Sequence, residues 1–241
     1  MKIRYLPCGD TGLVVQLSDV ADRATNACVH RLFNAVMERD LPGVVEAVPS
    51  YRSLLVQYDP LQTTQAELAK AIEPLISPGQ TGSQNVARRW RLPICCDGED
   101  LAPDLEFVAT RAGLSTADVV EILAETEQIV YMLGFAPGQP YLGDLPDKLS
   151  ISRRNDPIPQ IPAGSVVTAT AKTVIYSMAN PTGWYMLGRT PVRIFQSDAA
   201  EPVLLAPGDR LIFNPISRPE FDDLDAQARA GNYQPQPETI A

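Results

Sequence analysis

Hydrophobic positions mix helical and two-residue spacing up to Gly134, and beyond it no helical period recurs before the C-terminal tail. Residues 13–18, LVVQLS, read as a strand, and residues 19–39 carry Cys28, Leu32, Ala35 and Val36 on one helical stripe. His30 falls roughly opposite that stripe, as a solvated surface histidine. Two β-rich runs, 44–48 and 53–58, are joined by Pro-Ser-Tyr-Arg and predict a hairpin. Thr64 and Glu67 then form a capping box, and Leu68, Ile72, Leu75 and Ile76 continue the helix it opens. Strand, helix, hairpin, helix predicts a small open α/β sandwich.

Residues 77–85, SPGQTGSQN, hold turn formers and no large apolar side chain, so the domain boundary is placed there. A strand follows near 89–95, then a helix near 102–112 stopped by Gly113, and a second helix opened by Ser115 with Asp118. From residue 158 to 215 short β-rich runs (166–176, 184–187, 192–195, 203–205, 210–213) alternate with proline and glycine, the pattern of a barrel or sandwich. Residues 221–241 are polar with scattered prolines and read as a loosely docked tail.

Composition narrows the function classes. The chain has 241 residues and a formal charge of −9, which disfavours nucleic acid and anionic membranes as partners. The N-terminus lacks an apolar leader and no run is long enough to span a bilayer, so a cytoplasmic location is expected. Four cysteines without CxxC spacing are expected to be reduced and mostly buried, and a single histidine leaves no His-rich metal site. No GxxxxGK[ST], GxGxxG or GxSxG motif is present.

Candidate chemistry sits in the β-rich half. Taken as one strand, residues 166–176 place Val167, Ala169, Ala171, Thr173 and Ile175 on one face, and Thr168, Thr170, Lys172 and Tyr176 on the other, facing solvent or a pocket. Arg153 and Arg154 precede a segment held extended by three prolines, and their guanidinium forks suit carboxylates. Arg189 follows a short aromatic strand containing Trp184.

Four segments in this order, LPGVVEAVPSYRSLLVQYDP, LGFAPGQPYLGDLP, SRRNDPIPQIPAGS and NPTGWYMLGRTPV, closely resemble the KipI family, also called allophanate hydrolase subunit 1 or the 5-oxoprolinase B component. The likeness covers about residues 1–220. It implies an α+β chain: a ferredoxin-like α/β domain (1–80), a cyclophilin-like β-barrel (86–220) and the polar tail (221–241). The Gly/Pro loop from Gly134 resembles the family signature GFxPGFPYLGxL.

The resemblance implies a subunit of an ATP-dependent 5-oxoprolinase-like amidase, which opens a lactam to glutamate together with a KipA-type and a LamB/YcsF-type protein. ATP, with magnesium, would be bound by the complex rather than by this chain alone. Lys172, Tyr176 and Arg189 are the implied catalytic set, Arg154, Ser165 and Trp184 contact substrate, and Gly134, Pro137, Gly138 and Tyr141 shape the pocket; no metal ligands are assigned. Where the family usually has GGQTGIYP, this chain has TAKTVIYS, with Thr170, Ala171 and Val174 at the glycines and Lys172 at the glutamine. Gln139 replaces the loop motif's second phenylalanine, and Leu123 aligns with a usual histidine. These departures keep two alternatives open: a diverged regulatory paralogue, and a KipI-like inhibitor of a sensor histidine kinase.

Overall fold

A computed structural model describes residues 3–76 and 88–238, and the chain divides into two compact units, Met1–Val86 and Ala87–Ala241. The connection expected at residues 77–85 lies outside the described residues. No described helix is long and apolar enough to cross a membrane.

The first unit is an antiparallel sheet with two helices. Strands β1 (Arg4–Pro7), β2 (Gly12–Gln16), β3 (Val44–Pro49) and β4 (Ser53–Tyr58) lie in the order β1-β2-β4-β3. Alternation puts Leu13, Val15, Leu54 and Val56 on the buried face, where they meet Val29, Leu32 and Val36 of α1 (Arg23–Arg39) and Leu68 and Ile72 of α2 (Gln65–Ile72). Helix α1 begins later than its polar lead-in suggests, because the Asp22 carboxylate accepts from the Thr25 amide at 2.7 Å and caps it. Its buried stripe is Thr25, Asn26, Val29, Leu32 and Val36, so Cys28 and His30 are both only half-buried. The predicted capping box of Thr64 and Glu67 opens α2, and the helix tightens into a 3-10 turn, Glu73–Leu75, at Pro74.

The second unit is built on a seven-stranded sheet. Its strands are β5 (Arg89–Ile94), β6 (Gln128–Leu133), β7 (Pro140–Gly143), β9 (Ser165–Ala169), β10 (Lys172–Ile175), β12 (Tyr185–Arg189) and β13 (Arg210–Pro215), with β8 (Ile158–Ile161) and β11 (Asn180–Thr182) forming a separate ribbon. The order is β12-β9-β10-β7-β6-β13-β5. Just beyond β5, Cys95 exchanges two backbone hydrogen bonds of 2.9 Å with Arg189 at the end of β12. That bridge ties the two edge strands together at one end and nearly closes the sheet into a barrel. Gly188 permits the approach, since a Cβ there would sit 2.8 Å from the Cys95 carbonyl oxygen.

Helices α3 (Leu105–Ala112) and α4 (Thr116–Glu125) pack on this sheet, α3 against β12 and α4 against β13. Helix α3 starts at Leu105 rather than 102, because Asp104 is recruited elsewhere: its carboxylate accepts from the Met186 amide at 2.8 Å and pairs with Arg154 instead of capping the helix. Residues 221–238 do not form a loose tail. Helix α5 (Arg218–Arg229) opens with a Ser217/Glu220 capping box and buries Phe221 beside Cys95 and Leu101, while Glu238 pairs with Arg89 and Arg91. All four cysteines are free, but only Cys95 is buried, contrary to the expected mostly buried set.

Residues 166–176 are a hairpin, not one strand. Thr170 and Ala171 form its tip with φ of +50° and +54°, and Lys172 pairs with Ala169, Thr173 with Thr168 and Val174 with Val167. The two-residue turn reverses the parity of the alternation: Thr168 and Thr173 share a face, whereas Val174 and Tyr176 join Val167 and Ala169. These tip positions are where the resembled family carries glycine, and the geometry supplies the reason, because such turns need positive φ at both central residues. Left-handed backbone costs an ordinary residue about 1–2 kcal/mol. Thr170→Gly and Ala171→Gly are each expected to raise stability by about 1 kcal/mol, read from chemical denaturation midpoints at unchanged m-value.

Candidate functional site

Four segments of the chain build one cleft in the second unit. The Gly/Pro loop is the β6–β7 hairpin connection, closed by a hydrogen bond from the Gly134 amide to the Gln139 carbonyl at 3.1 Å. It holds Phe135 at φ +69° and 70% exposed, with Tyr141 following on β7. From the opposite side the extended segment brings Arg153, Arg154 and Pro157, and the β11 side adds Thr182, Gly183 and Trp184. Val174 and Tyr176 of the hairpin form the floor. The cleft encloses about 390 Å³.

Its two arginines differ in availability. Arg154 is fastened: it pairs with Asp104, its guanidinium lies 4.5 Å from the Tyr185 ring centroid, and its amide donates to the Gly183 carbonyl at 2.8 Å. Arg153 is exposed and lies 5.5 Å from the Trp184 ring centroid, and among the described residues no carboxylate pairs with it. A cation stacked on an indole and left without a counter-ion is poised for an anion.

The aromatic walls keep their protons. Tyr141 meets Trp184 edge to face at 6.3 Å, and the Tyr176 hydroxyl donates to the Pro181 carbonyl at 3.3 Å. Burial pushes the pKa of both phenols above the ordinary tyrosine range, against a smaller downward pull from Arg153. Both therefore stay neutral donors across the physiological range. A spectrophotometric titration is expected to show these two phenols, with Tyr5 and Tyr233, ionising above the bulk, and only Tyr141 and Tyr176 moving to still higher pH in Arg153→Ala, where the cation's pull is removed.

The family model for the carboxyltransferase domain, subdomains C and D, matches residues 3–205. The 5-oxoprolinase B component of Bacillus subtilis is 33% identical over 237 residues, covering 92% of this chain and 97% of the relative. The chain belongs to this family. The corresponding 5-oxoprolinase component of Escherichia coli O157:H7 is 35% identical, covering 89% of this chain and 96% of the relative. The solved urea amidolyase of K. lactis shares the fold at a TM-score of 0.82, with 23% identity over 98% of this chain, which spans 16% of that larger protein.

Within this carboxyltransferase subdomain C and D member, the residues singled out from sequence separate into two groups. Arg154, Trp184, Tyr141 and Tyr176 meet in the cleft. Lys172, Arg189 and Ser165 do not line it: Lys172 sits at the hairpin tip, Ser165 is fully buried with its hydroxyl donating to the Pro162 carbonyl at 2.8 Å, and Arg189 lies in a second cleft. The turn moves Thr168 to the opposite face, whereas Lys172 keeps the face of Tyr176 but stands at the hairpin tip. Pro137 is exposed, and Gly138 (φ +66°) tucks against Phe195 and Val203, so both shape the loop rather than the cleft wall.

Arg153 and Phe135 are cleft residues absent from the site assigned by sequence, although both stand inside the quoted motifs. Of the departures, Val174 projects into the cleft where the family has glycine and narrows it. Gln139 is 1% exposed, and its Oε1 has no hydrogen-bond partner among the described residues. Leu123 is fully buried in the main core.

Proposed function

We propose that this chain is a subunit of an ATP-dependent amidase complex that hydrolyses 5-oxoproline, or a closely related lactam, to glutamate. The observation that carries the reading is the convergence of the family motifs on one cleft whose Arg153 has no carboxylate partner among the described residues. A lactam bearing a carboxylate presents a flat five-membered ring and one negative charge. Arg153 takes the carboxylate, Trp184 and Tyr141 hold the ring, and the neutral Tyr176 hydroxyl turns its one proton from the Pro181 carbonyl to the lactam oxygen. As water adds to the carbonyl carbon, negative charge gathers on that oxygen and a donor beside a cation stabilises it; the C–N bond then breaks as a proton from the water passes to the nitrogen. Arg154, neutralised by Asp104, positions the wall that carries Arg153.

Among the described residues no carboxylate lines the cleft, and no group of three or more His, Cys, Asp or Glu side chains could hold a metal ion. Magnesium and the nucleotide are assigned to the complex with a KipA-type and a LamB/YcsF-type protein, in the cytoplasm, and not to this chain alone. The architecture is read as a ferredoxin-like domain (1–80) before a cyclophilin-like barrel (86–220). Lys172 and Arg189 leave the catalytic set in this reading, and Ser165 leaves the substrate contacts. Val174 favours a second reading, a paralogue retuned to a smaller lactam or to regulation.

Reconstitution with both partners tests the proposal. Glutamate release from 5-oxoproline that needs ATP and stops when this chain is omitted is expected; full activity without the chain would overturn it.

A further inference from the structure

A second cleft opens on the other side of the β9–β10 hairpin, between the end of β12, the segment after it, and helix α5. It encloses about 260 Å³ and carries Arg189, Arg193 and Arg229 with a single carboxylate, Asp225. In a chain with a net charge of −9, three guanidinium groups facing one acid stand out. Asp225 is committed to Arg229 at 2.6 Å. Arg189 donates through Nε to the Ala163 carbonyl at 2.9 Å and lies 5.6 Å from the Phe221 ring centroid, and neither it nor Arg193 has an ion-pair partner among the described residues.

A second, independent feature points the same way. Ser177 borders this cleft, is 9% exposed, and its buried hydroxyl has no hydrogen-bond partner among the described residues. A buried hydroxyl without a partner costs about 1–3 kcal/mol, and a ligand oxygen would recover it. Two guanidinium groups without a direct ion pair, Arg189 feeling Asp225 and Asp100 only at longer range, match a dianion better than a single carboxylate, and the guanidinium fork fits tetrahedral oxyanions in two-point contact.

We propose that this second cleft binds phosphate, free or as the phosphoryl group of a larger molecule, through Arg189, Arg193 and Ser177. The site is separate from the aromatic cleft, and the proposal does not depend on the lactam reading. Asp225 acts in it as a resident competitor that keeps Arg229 from the ligand.

Titration calorimetry of the full chain with inorganic phosphate near neutral pH is the test, with acetate as the carboxylate comparison. Wild-type protein is expected to bind phosphate with salt-sensitive affinity and acetate more weakly. Arg193→Ala, an exposed position, is expected to weaken phosphate about tenfold, the loss of one charge-assisted contact. Asp225→Asn is expected to tighten it severalfold, a gain that a merely structural role for Asp225 would not produce. The proposal is overturned if phosphate does not bind, if acetate binds better, if Arg193→Ala binds as well as wild type, or if Arg153→Ala in the aromatic cleft abolishes phosphate binding.

Discussion

Arg153→Ala is expected to lower kcat/KM for 5-oxoproline about 100-fold in the assembled complex, the scale at which a pre-aimed charge acts on a developing oxyanion and its anchoring carboxylate. The fold should be untouched, because Arg153 is exposed and its stack on Trp184 is a surface contact. Such a stack is worth about 0.5–1 kcal/mol at an exposed site. Arg153→Lys keeps the charge but loses the planar fork, so it should recover part of the rate and less of the substrate affinity. Arg154→Ala is expected to behave differently. It strands Asp104, 8% exposed and bonded to the Met186 amide, and should lower thermal stability together with activity. Steady-state kinetics paired with thermal denaturation separates the two arginines.

Gly164→Ala is expected to be among the most damaging single-methyl changes in the barrel, destabilising it by roughly 4 kcal/mol. Gly164 sits at φ +82°, and a Cβ added there would lie 2.3 Å from the Thr190 carbonyl oxygen, a backbone atom that cannot rotate away. Its own amide donates to the Tyr176 carbonyl at 2.7 Å, and its carbonyl accepts from the Thr190 amide at 2.9 Å. The glycine thus ties the hairpin that floors the aromatic cleft to the strand exit beside Arg189. Gly113→Ala is the control: its φ is a similar +69°, but no atom lies within 4 Å of the added methyl. That variant should cost only the left-handed strain, about 1–2 kcal/mol. Equal midpoints for the two variants in urea would show that the close approach to Thr190 does not matter.

What can be read from sequence is what local chemistry specifies. The Thr64/Glu67 and Ser115/Asp118 boxes, Gly113 at the end of α3, and the 44–58 hairpin all follow from side chains acting on neighbouring backbone. The errors fall where distant contacts override such signals. Thr170 and Ala171 turn the chain without a glycine, so the alternation through residues 166–176 looks unbroken and groups Thr168 with Lys172 and Tyr176, whereas the register puts Lys172 and Tyr176 with Val167 and Ala169. Asp104 looks like an ordinary residue early in a helix until Arg154 and Met186 arrive from about 50 and 80 positions away. Helix α5 has a mostly polar surface and few apolar anchors, of which Phe221 is buried against Cys95 and Leu101, so its docking is invisible to periodicity. The cleft itself is legible only as a set of motifs; which members face inward depends on register.

The central claim is that the aromatic cleft is where the lactam sits. The dissociation constant of 5-oxoproline for the assembled complex, measured by titration calorimetry without turnover, tests this most directly when wild type is compared with Arg153→Ala and with Arg111→Ala, an exposed arginine on α3 outside both clefts. Binding should weaken at least about tenfold in Arg153→Ala and stay unchanged in Arg111→Ala. Wild-type affinity in Arg153→Ala would contradict the account and place the substrate elsewhere.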